Sequence, residues 1–340
     1  MRTPMPTTLM STPMSRSTIR RAFTALPMAL VLSLSVSACS GDSSGNDNTV
    51  RFGYIGDYNG ASLLAIAEDQ GLWKKADLTA EVKSFNNGPV QIQALSAGDL
   101  DYGYIGPGAM WLPASGRSKV IAVDTLTYAD RVIGQPGMKS MKDLKGKKVG
   151  VPEGTSGDMI LNIALEEAGM TAKDITKVNM DPSTIVSAFS SGQIDGAGFF
   201  YPAIDTIKKK VPKLEEIAST KDTGDSFPTA FVAGNKVSEG KNSKVIKVLQ
   251  QANDWRQEHP EETIALTAKM LEVTEAQTKA DASHVQTLST EDLAAKTKSG
   301  EVDAWLKKLG DFFVRNKQLD DNPDPGDYYT GDLYSKAYGK

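Results

Sequence analysis

Two stretches of this sequence, about ninety residues apart, repeat one pattern of helix end, turn and buried strand. They cover residues 94–107 and 188–202. In each, a helix-favouring alanine is followed by a glycine that permits a left-handed turn, and then by an aspartate. The matched residues are Ala94, Gly98 and Asp101 in the first copy and Ala188, Gly192 and Asp195 in the second. A repeated α/β unit predicts two lobes of similar construction.

Strand and helix patterns alternate around both copies of the repeat, which predicts an α/β fold whose lobes each contain a mainly parallel sheet flanked by helices. After residue 244 the sequence is nearly all helical and shows no strand signal, so we expect a helical C-terminal cover. The predicted domains are a first lobe of residues 49–127 plus 229–340 and a second lobe of residues 128–228.

The N-terminus has the pattern of an export signal. Residues 1–38 contain four arginines and no acidic residue, and residues 23–36 form an apolar run. The run ends at Cys39, the chain's only cysteine, in a sequence that resembles the lipobox of bacterial lipoproteins. The resemblance implies lipidation of Cys39, with residues 39–48 as a flexible tether. An ordinary cleaved signal with a chance cysteine is the alternative, and the sequence leaves open export by the Sec or the twin-arginine route.

The charge balance excludes some partners. The whole chain has a net charge of −4, and removal of the four signal arginines makes it −8. Nucleic-acid binding needs basic surface to neutralise phosphates, so we expect no nucleic-acid partner. With one cysteine there is no intramolecular disulfide.

Ligands of open α/β sheets bind beyond the carboxyl ends of the strands, and two facing lobes place those ends along one cleft. The turns that follow the predicted strands therefore supply the candidate ligand-binding residues. These are Asp57, Tyr58, Asn59, Asn86, Gly106, Pro107, Thr155, Ser156, Asp158, Phe200 and Tyr201.

The candidates suggest two kinds of recognition. Helix N-termini hold anions through free N–H groups, and the hydroxyls of Thr155 and Ser156 would either add donors or only cap their helix. Asp57 and Asp158 occupy equivalent places in the two lobes, where they either cap helices or meet a positive group on the ligand. None of these turns contains lysine or arginine. A zwitterion or a cationic nitrogen compound therefore fits better than a simple anion.

Catalytic patterns are missing from the sequence. The two histidines, His259 and His284, lie in the helical tail, far along the chain from the cleft turns. We find no nucleophile elbow, P-loop or zinc-protease helix motif. The sequence thus predicts a binding protein that is not an enzyme and uses no metal or cofactor.

Four segments, residues 71–73, 94–101, 143–155 and 192–197, resemble substrate-binding proteins of ABC importers. The most similar group binds aliphatic sulfonates, taurine, nitrate or thiamine-precursor pyrimidines. The resemblance implies a type II periplasmic-binding-protein fold and a monomer on the extracytoplasmic face of the membrane. It also implies delivery of a small solute to a permease and its ATPase. Many members have Trp-Glu-Pro where this chain has Phe200, Tyr201 and Pro202, so no member's ligand transfers directly.

The ligand hypothesis is an organosulfonate or a taurine-like zwitterion. The alternative is a cationic or neutral nitrogen compound, such as a thiamine-precursor pyrimidine or an amine. A second class of function also stays open, in which a surface lipoprotein with this fold senses or scaffolds without transport.

Overall fold

The computed structural model describes residues 48–339, in which strands and helices alternate before a largely helical C-terminal part. The strands are β1 (Thr49–Ile55), β2 (Thr79–Phe85), β3 (Tyr102–Ile105), β4 (Lys119–Thr127), β5 (Asp130–Gly134), β6 (Lys148–Val151), β7 (Thr176–Asn179), β8 (Gly196–Phe200), β9 (Glu215–Ser219), β10 (Pro228–Ala233) and β11 (Val285–Thr287).

The α-helices of the described residues are α1 (Tyr58–Asp69), α2 (Leu72–Lys75), α3 (Gly88–Ala97), α4 (Trp111–Ala114), α5 (Ser156–Glu167), α6 (Pro182–Ser190), α7 (Ala203–Lys208), α8 (Glu239–Glu258), α9 (Pro260–Leu271), α10 (Glu275–Ala282), α11 (Thr290–Ser299), α12 (Glu301–Arg315) and α13 (Gly331–Tyr338). A 3₁₀ turn at Pro107–Ala109 follows β3.

The strands form two sheets, each of which is the centre of one lobe. The first sheet has the order β11-β4-β10-β3-β1-β2 and defines lobe 1, and the second has the order β7-β6-β8-β5-β9 and defines lobe 2. The chain passes from lobe 1 to lobe 2 between β4 and β5 and returns between β9 and β10. The predicted α/β, two-lobed fold is therefore confirmed, while the exact lobe boundaries stay a prediction.

Both sheets are mixed, and in each of them most strands run in the same direction, as the expectation of mainly parallel sheets requires. β1 runs parallel to β2 and β3, and β6 runs parallel to β7 and β8. β10 lies antiparallel between β3 and β4, and β5 lies antiparallel between β8 and β9. β5 and β10 are the first strands after each crossing between lobes. They enter their sheets without the helical crossover that makes neighbouring strands parallel.

The repeat corresponds to the same hydrogen bonds in both lobes. Gly98 and Gly192 have φ values of 85° and 73°, the left-handed conformation that glycine adopts without strain. The carboxylate of Asp101 then accepts the Arg51 N–H at 2.9 Å, and the carboxylate of Asp195 accepts the Lys148 N–H at 2.9 Å. Each aspartate thus ties the start of a repeat strand to its parallel neighbour, which is a structural role.

The C-terminal helices share one hydrophobic core with the first sheet. Side chains such as Val245, Leu306 and Phe313 are buried in a cluster that includes Phe52 and Tyr102 from β1 and β3. The expectation of no strand in this part was wrong, because β11 pairs antiparallel with the end of β4. β11 has only three residues and its pairing depends on the edge of β4, so local sequence carries little signal for it.

The predicted signal segment, Cys39 and most of the tether lie outside the described residues. Across residues 48–339, the helices are all too short or too polar to span a lipid bilayer.

Candidate functional site

A cavity lies between the two sheets, at the carboxyl ends of β1, β3 and β8. The cavity volume is about 50 Å³, which is enough for a few water molecules or a small solute. Both lobes line it. Its wall consists of Ile55, Asp57, Asn59, Asn87, Gly88, Tyr104, Gly106, Pro107, Ala109, Thr127, Ala129, Asp130, Thr155, Ser156, Phe200, Tyr201, Thr229 and Asp281.

Most of the residues singled out in the sequence meet at this cavity. Eight of the eleven candidates belong to its wall: Asp57, Asn59, Gly106, Pro107, Thr155, Ser156, Phe200 and Tyr201. Tyr58, Asn86 and Asp158 do not. Tyr58 is only 6% exposed and packs inside lobe 1, while Asn86 lines a wider recess that adjoins the cavity through Asp57, Tyr201 and Asp281.

Asp158 lies in the first turn of α5 with partners from its own lobe. Its carboxylate forms an ion pair with Lys177 at 2.7 Å and accepts the Gly154 N–H at 3.1 Å. The residue is 4% exposed and is absent from the cavity wall. Its charge is therefore balanced inside lobe 2, and it is not available to a ligand in the cavity.

The wall contains two further aspartates that the sequence analysis did not select. Asp130 is the first residue of β5, directly after the first crossing between lobes, and Asp281 lies in α10 of the helical cover. A crossing near residue 130 was predicted, so Asp130 had a positional signal. Asp281 had none, because its place at the cavity depends on the packing of α10 against the N-terminal end of α1.

Carboxylates of the protein itself occupy the N-terminus of α1. Asp57 Oδ1 accepts the Gly60 N–H at 2.6 Å, and Asp281 Oδ2 accepts the Tyr58 N–H at 2.6 Å. These N–H groups were expected to be free for an anion on the ligand. Since two side-chain carboxyl groups already accept these hydrogen bonds, this helix end offers the cavity acceptor oxygens rather than free N–H groups.

The N-terminus of α5 is covered by the opposite lobe. A methyl group added at Gly108, in the 3₁₀ turn of lobe 1, would lie 2.3 Å from the Ser156 backbone nitrogen. The Thr155 hydroxyl donates to the Pro152 carbonyl at 2.6 Å, and Ser156 Oγ is 3.5 Å from the Gly108 N–H. The Thr155 hydroxyl proton is thus used in a hydrogen bond within lobe 2, whereas the Ser156 hydroxyl proton is available to another acceptor.

The pKa values of the three cavity aspartates are all raised above the ordinary value of an aspartate. Burial raises the pKa of Asp130 to about 7 and that of Asp281 to about 7. Burial and then the charge of Asp281 raise the pKa of Asp57 well above its ordinary value. Each shift has the same leading cause, because a carboxylate that is buried away from water is costly to ionise.

Aromatic groups join the lobes around the cavity. The Tyr201 ring of lobe 2 stacks on His284, next to β11, with centroids 4.1 Å apart. Trp111 of lobe 1 donates its indole N–H to the Gly154 carbonyl of lobe 2 at 3.3 Å. His284, which is far from the cleft turns in sequence, is therefore close to one end of the cleft in space. The lobes are in contact on both sides of the cavity.

Comparison with known proteins assigns the family. The NMT1/THI5-like family profile matches residues 61–263, which is more than half of the chain. The chain belongs to the NMT1/THI5-like family. The matched part of this NMT1/THI5-like protein contains the whole lobe 2 sheet and most strands of the lobe 1 sheet, but it ends before α10 and Asp281.

Relatives and solved structures agree with this assignment. A "putative binding protein" of Brucella abortus is 48% identical over 322 residues, which cover 93% of this chain and 99% of the relative. The periplasmic aliphatic sulphonate binding protein of Escherichia coli superposes with a TM-score of 0.65 at 20% identity, over 84% of this chain and 98% of that one. A ligand-binding component of an ABC-type import system from Staphylococcus aureus, with zinc bound, superposes with a TM-score of 0.69 at 15% identity, over 85% and 98%. The NMT1/THI5-like chain thus has the periplasmic-binding-protein fold.

Proposed function

We propose that this protein is an extracytoplasmic solute-binding protein that captures a small solute between its lobes and delivers it to an ABC permease. The observation that carries the proposal is the cavity itself, whose wall is drawn from both lobes at the carboxyl ends of their strands. A ligand in that position contacts both lobes at once and stabilises their closed arrangement, as in hinge-closing binding proteins. The similar proteins named for binding and for ABC-type import support the same function.

The candidate ligands need different polar groups in the cavity wall. An organosulfonate needs hydrogen-bond donors or cations for its anionic group. A taurine-like zwitterion needs these and also an acceptor for its ammonium group, whereas a cationic nitrogen compound needs acceptors alone. The likeness to a sulphonate-binding protein supports the first two candidates, while the three aspartates of the wall support the last two. The taurine-like zwitterion and the nitrogen cation are thus the leading candidates.

The test of a receptor function is binding coupled to uptake. We expect the purified protein, without its signal, to bind one small solute stoichiometrically in calorimetry. Deletion of its gene should reduce uptake of that solute by whole cells. A ligand present at 100 times its Kd would also stabilise the protein by about 2.7 kcal/mol. Binding without any uptake defect would favour the sensory or scaffolding alternative, as would a genomic neighbourhood that lacks permease and ATPase genes.

Anchoring through Cys39 is part of the proposal and makes a separate prediction. Substitution Cys39→Ser removes the thiol that would carry the lipid, so the protein should move from the membrane fraction to the soluble extracytoplasmic fraction. Ser40→Ala, at the neighbouring position, should leave the protein with the membranes. A Cys39→Ser protein that still fractionates with membranes would contradict the lipid anchor while leaving the solute-binding function intact.

We also propose that the protein acts as a monomer and has no catalytic activity of its own. The similar proteins named above are described as binding proteins or ligand-binding components, and the cavity wall contains neither histidine nor cysteine.

A further inference from the structure

Three carboxylates from separate parts of the chain converge on the cavity. Asp57 is the N-cap of α1, Asp281 comes from α10, and Asp130 begins β5 in the other lobe. Asp130 and Asp281 are 2% and 4% exposed. We call these three residues the acid cluster. Its members belong to both lobes, so their convergence depends on the arrangement of the lobes around the cavity.

Asp130 has an unmet hydrogen-bonding requirement. Its Oδ2 atom is buried and has no hydrogen-bond partner among the described residues. Leaving such an atom unsatisfied costs free energy comparable to a lost hydrogen bond, and more when the group is charged. Because Asp130 belongs to the cavity wall, a donor that enters the cavity would supply the missing partner.

The other two aspartates each keep one oxygen for a ligand. Asp57 uses Oδ1 for the Gly60 N–H, and Asp281 uses Oδ2 for the Tyr58 N–H. For the second oxygen of each, no hydrogen-bond partner exists within residues 48–339. The acid cluster therefore offers the cavity at least three acceptor atoms.

Nearby cations are committed to other acids. Arg256, which lies behind α1, holds Asp124 at 2.6 Å with both side chains almost fully buried. Arg131, next to Asp130, pairs with Glu216 at 2.7 Å and lies over the Tyr201 ring. The cavity wall contains no lysine or arginine within the described part of the chain. The positive charge that would balance the acid cluster must come with the ligand.

The rest of the wall suits an organic body. Tyr104, Phe200 and Tyr201 provide aromatic surface, and Ile55 and Pro107 provide aliphatic surface. Aromatic rings combined with carboxylates are the surroundings that ammonium groups favour. Within residues 48–339, no three His, Cys, Asp or Glu side chains are placed to hold a metal ion. The pattern fits a carbon-bound nitrogen cation better than a metal.

We propose that the cavity recognises its ligand through a positively charged nitrogen held among Asp57, Asp130 and Asp281, so that the ligand is a small organic cation or an ammonium-bearing zwitterion. This inference rests on the proposed solute-binding function and specifies its ligand. The nitrogen donates to Asp130 Oδ2 from one side and to the free oxygens of Asp57 and Asp281 from the other. The ligand thereby joins the two lobes.

Binding should release protons. The raised pKa values leave these aspartates partly protonated near neutral pH, and they must ionise to pair with the cation, so affinity rises as pH increases from 6 to 8. The charges that face the cluster are Arg131, which favours ionised Asp130, and Asp124 and Asp205, which oppose ionisation of Asp57 and Asp281 respectively. Calorimetry in buffers of different ionisation enthalpy would measure the number of protons released.

The test is a thermal-shift screen with probes sorted by charge. Ethylamine, choline, taurine and a thiamine-precursor aminopyrimidine form the nitrogen set, while ethanesulfonate, nitrate and zinc chloride form the comparison set. Taurine and ethanesulfonate differ only in the ammonium group, which makes them a matched pair. We expect stabilisation by at least one nitrogen probe and by none of the comparison set.

Single substitutions then test which carboxylates bind the stabilising probe. Asp130→Asn keeps the side chain's size but removes its charge, so we expect at least a hundredfold loss of affinity for the stabilising probe. At pH 8 the same variant, without probe, should melt at the same or a higher temperature than the wild type. Asp57→Asn gives a second measurement of the cluster. Asp99→Asn makes the same change at an exposed position and should leave affinity within twofold.

The possible outcomes separate the two proposals. Stabilisation by ethanesulfonate, nitrate or zinc alone would overturn cation recognition but leave a solute-binding protein. Unchanged affinity in folded Asp130→Asn and Asp57→Asn proteins would also overturn it. If no probe of either set stabilises the protein, cation recognition is contradicted. The uptake measurement then decides the receptor function separately.

Discussion

Asp57 is the N-cap of α1 and Asp158 lies in the first turn of α5, yet the two residues have opposite surroundings. Asp158 is paired with Lys177 at 2.7 Å inside lobe 2. Asp57 has no such cation and belongs to the cavity wall, where burial and then the nearby carboxylates of Asp281 and Asp130 raise its pKa. Of these two aspartates at helix N-termini, only Asp57 lines the cavity.

The difference shows what an internal repeat does and does not determine. Both lobes use an aspartate at the root of the repeat strand to accept a backbone N–H from the adjacent strand. The side chains that neighbour Asp57 and Asp158, in contrast, come from elements outside the repeat. Lys177 of β7 neutralises Asp158, while Asp281 of the helical cover adds a second charge beside Asp57. The partner of each acid therefore decides its role.

The largest expected effect is on the pH dependence of stability. The pKa values of Asp130 and Asp281 are about 7 in the folded protein, well above the ordinary value of 3.8. Their stabilising contribution is complete below pH 4 and is lost as pH rises through 7, because the native state then binds more protons than the unfolded state. The free energy of unfolding without ligand should fall by on the order of a few kcal/mol between pH 4 and pH 8. Chemical denaturation at several pH values measures it.

Single substitutions at aspartates of the two lobes test which acids cause this pH dependence. Asp130→Asn and Asp57→Asn should each flatten the decline, since each removes an acid that resists ionisation. Asp158→Asn should leave the slope unchanged. An equal slope in all three variants would mean that the cavity acids ionise without cost.

The next effect is on affinity. Asp57→Asn removes one carboxylate of the acid cluster, and a charged hydrogen bond contributes about 1.5–3 kcal/mol. We therefore expect a loss of roughly tenfold to 140-fold in affinity for a nitrogen probe, measured by calorimetry. Asp158→Asn should change affinity less than threefold. A comparable loss in both variants would show that the two aspartates act alike after all.

A smaller effect is expected where the lobes touch at Gly108. A methyl group there would lie 2.3 Å from the Ser156 nitrogen, and since the neighbour is backbone, the lobes must separate slightly to accommodate it. Gly108→Ala should lower ligand affinity by roughly tenfold, about 1.4 kcal/mol. Gly240→Ala, in α8, places its methyl in open space and serves as the control. Full affinity in Gly108→Ala would show that this contact does not limit closure.

The smallest effect should come from removing the cation of lobe 2. Lys177→Met leaves Asp158 without its ion pair and should lower the free energy of unfolding by about 1 kcal/mol, because the lysine is partly exposed and its loss is softened by solvent. Ligand affinity should not change. Lys173→Met, at an exposed position of the same lobe, is the matched control. A loss of affinity in Lys177→Met alone would place Asp158 functionally at the cavity.

The sequence predicted the scaffold better than the chemistry of the cavity. The repeat and the alternation of strands and helices identified two lobes, the crossings between them and eight wall residues, because turns after strands lie at a sheet's carboxyl edge. The directions of β5 and β10 were missed, since strand direction depends on how the chain enters each sheet. Asp281 was missed because its position depends on tertiary packing of α10.

The roles of individual side chains were harder to predict than their positions. Thr155 and Ser156 were correctly placed at a helix N-terminus beside the cavity. Their surroundings depend on Gly108 of the other lobe, a contact that no local pattern encodes. Similarly, the equivalence of Asp57 and Asp158 was visible in the sequence, but Lys177 is a neighbour only in the folded sheet.

The position of the crossing between lobes couples movement of the lobes to the arrangement of the acid cluster. Asp130 is part of the lobe 2 sheet, directly beyond the crossing, whereas Asp57 and Asp281 are held by lobe 1. A movement that parts the lobes separates Asp130 from Asp57 and Asp281 and admits water between them. The cation would then exchange three shared acceptors for solvent. The movement that opens an exit for the ligand thus also weakens its binding, so ligand release requires no separate conformational change within the cavity.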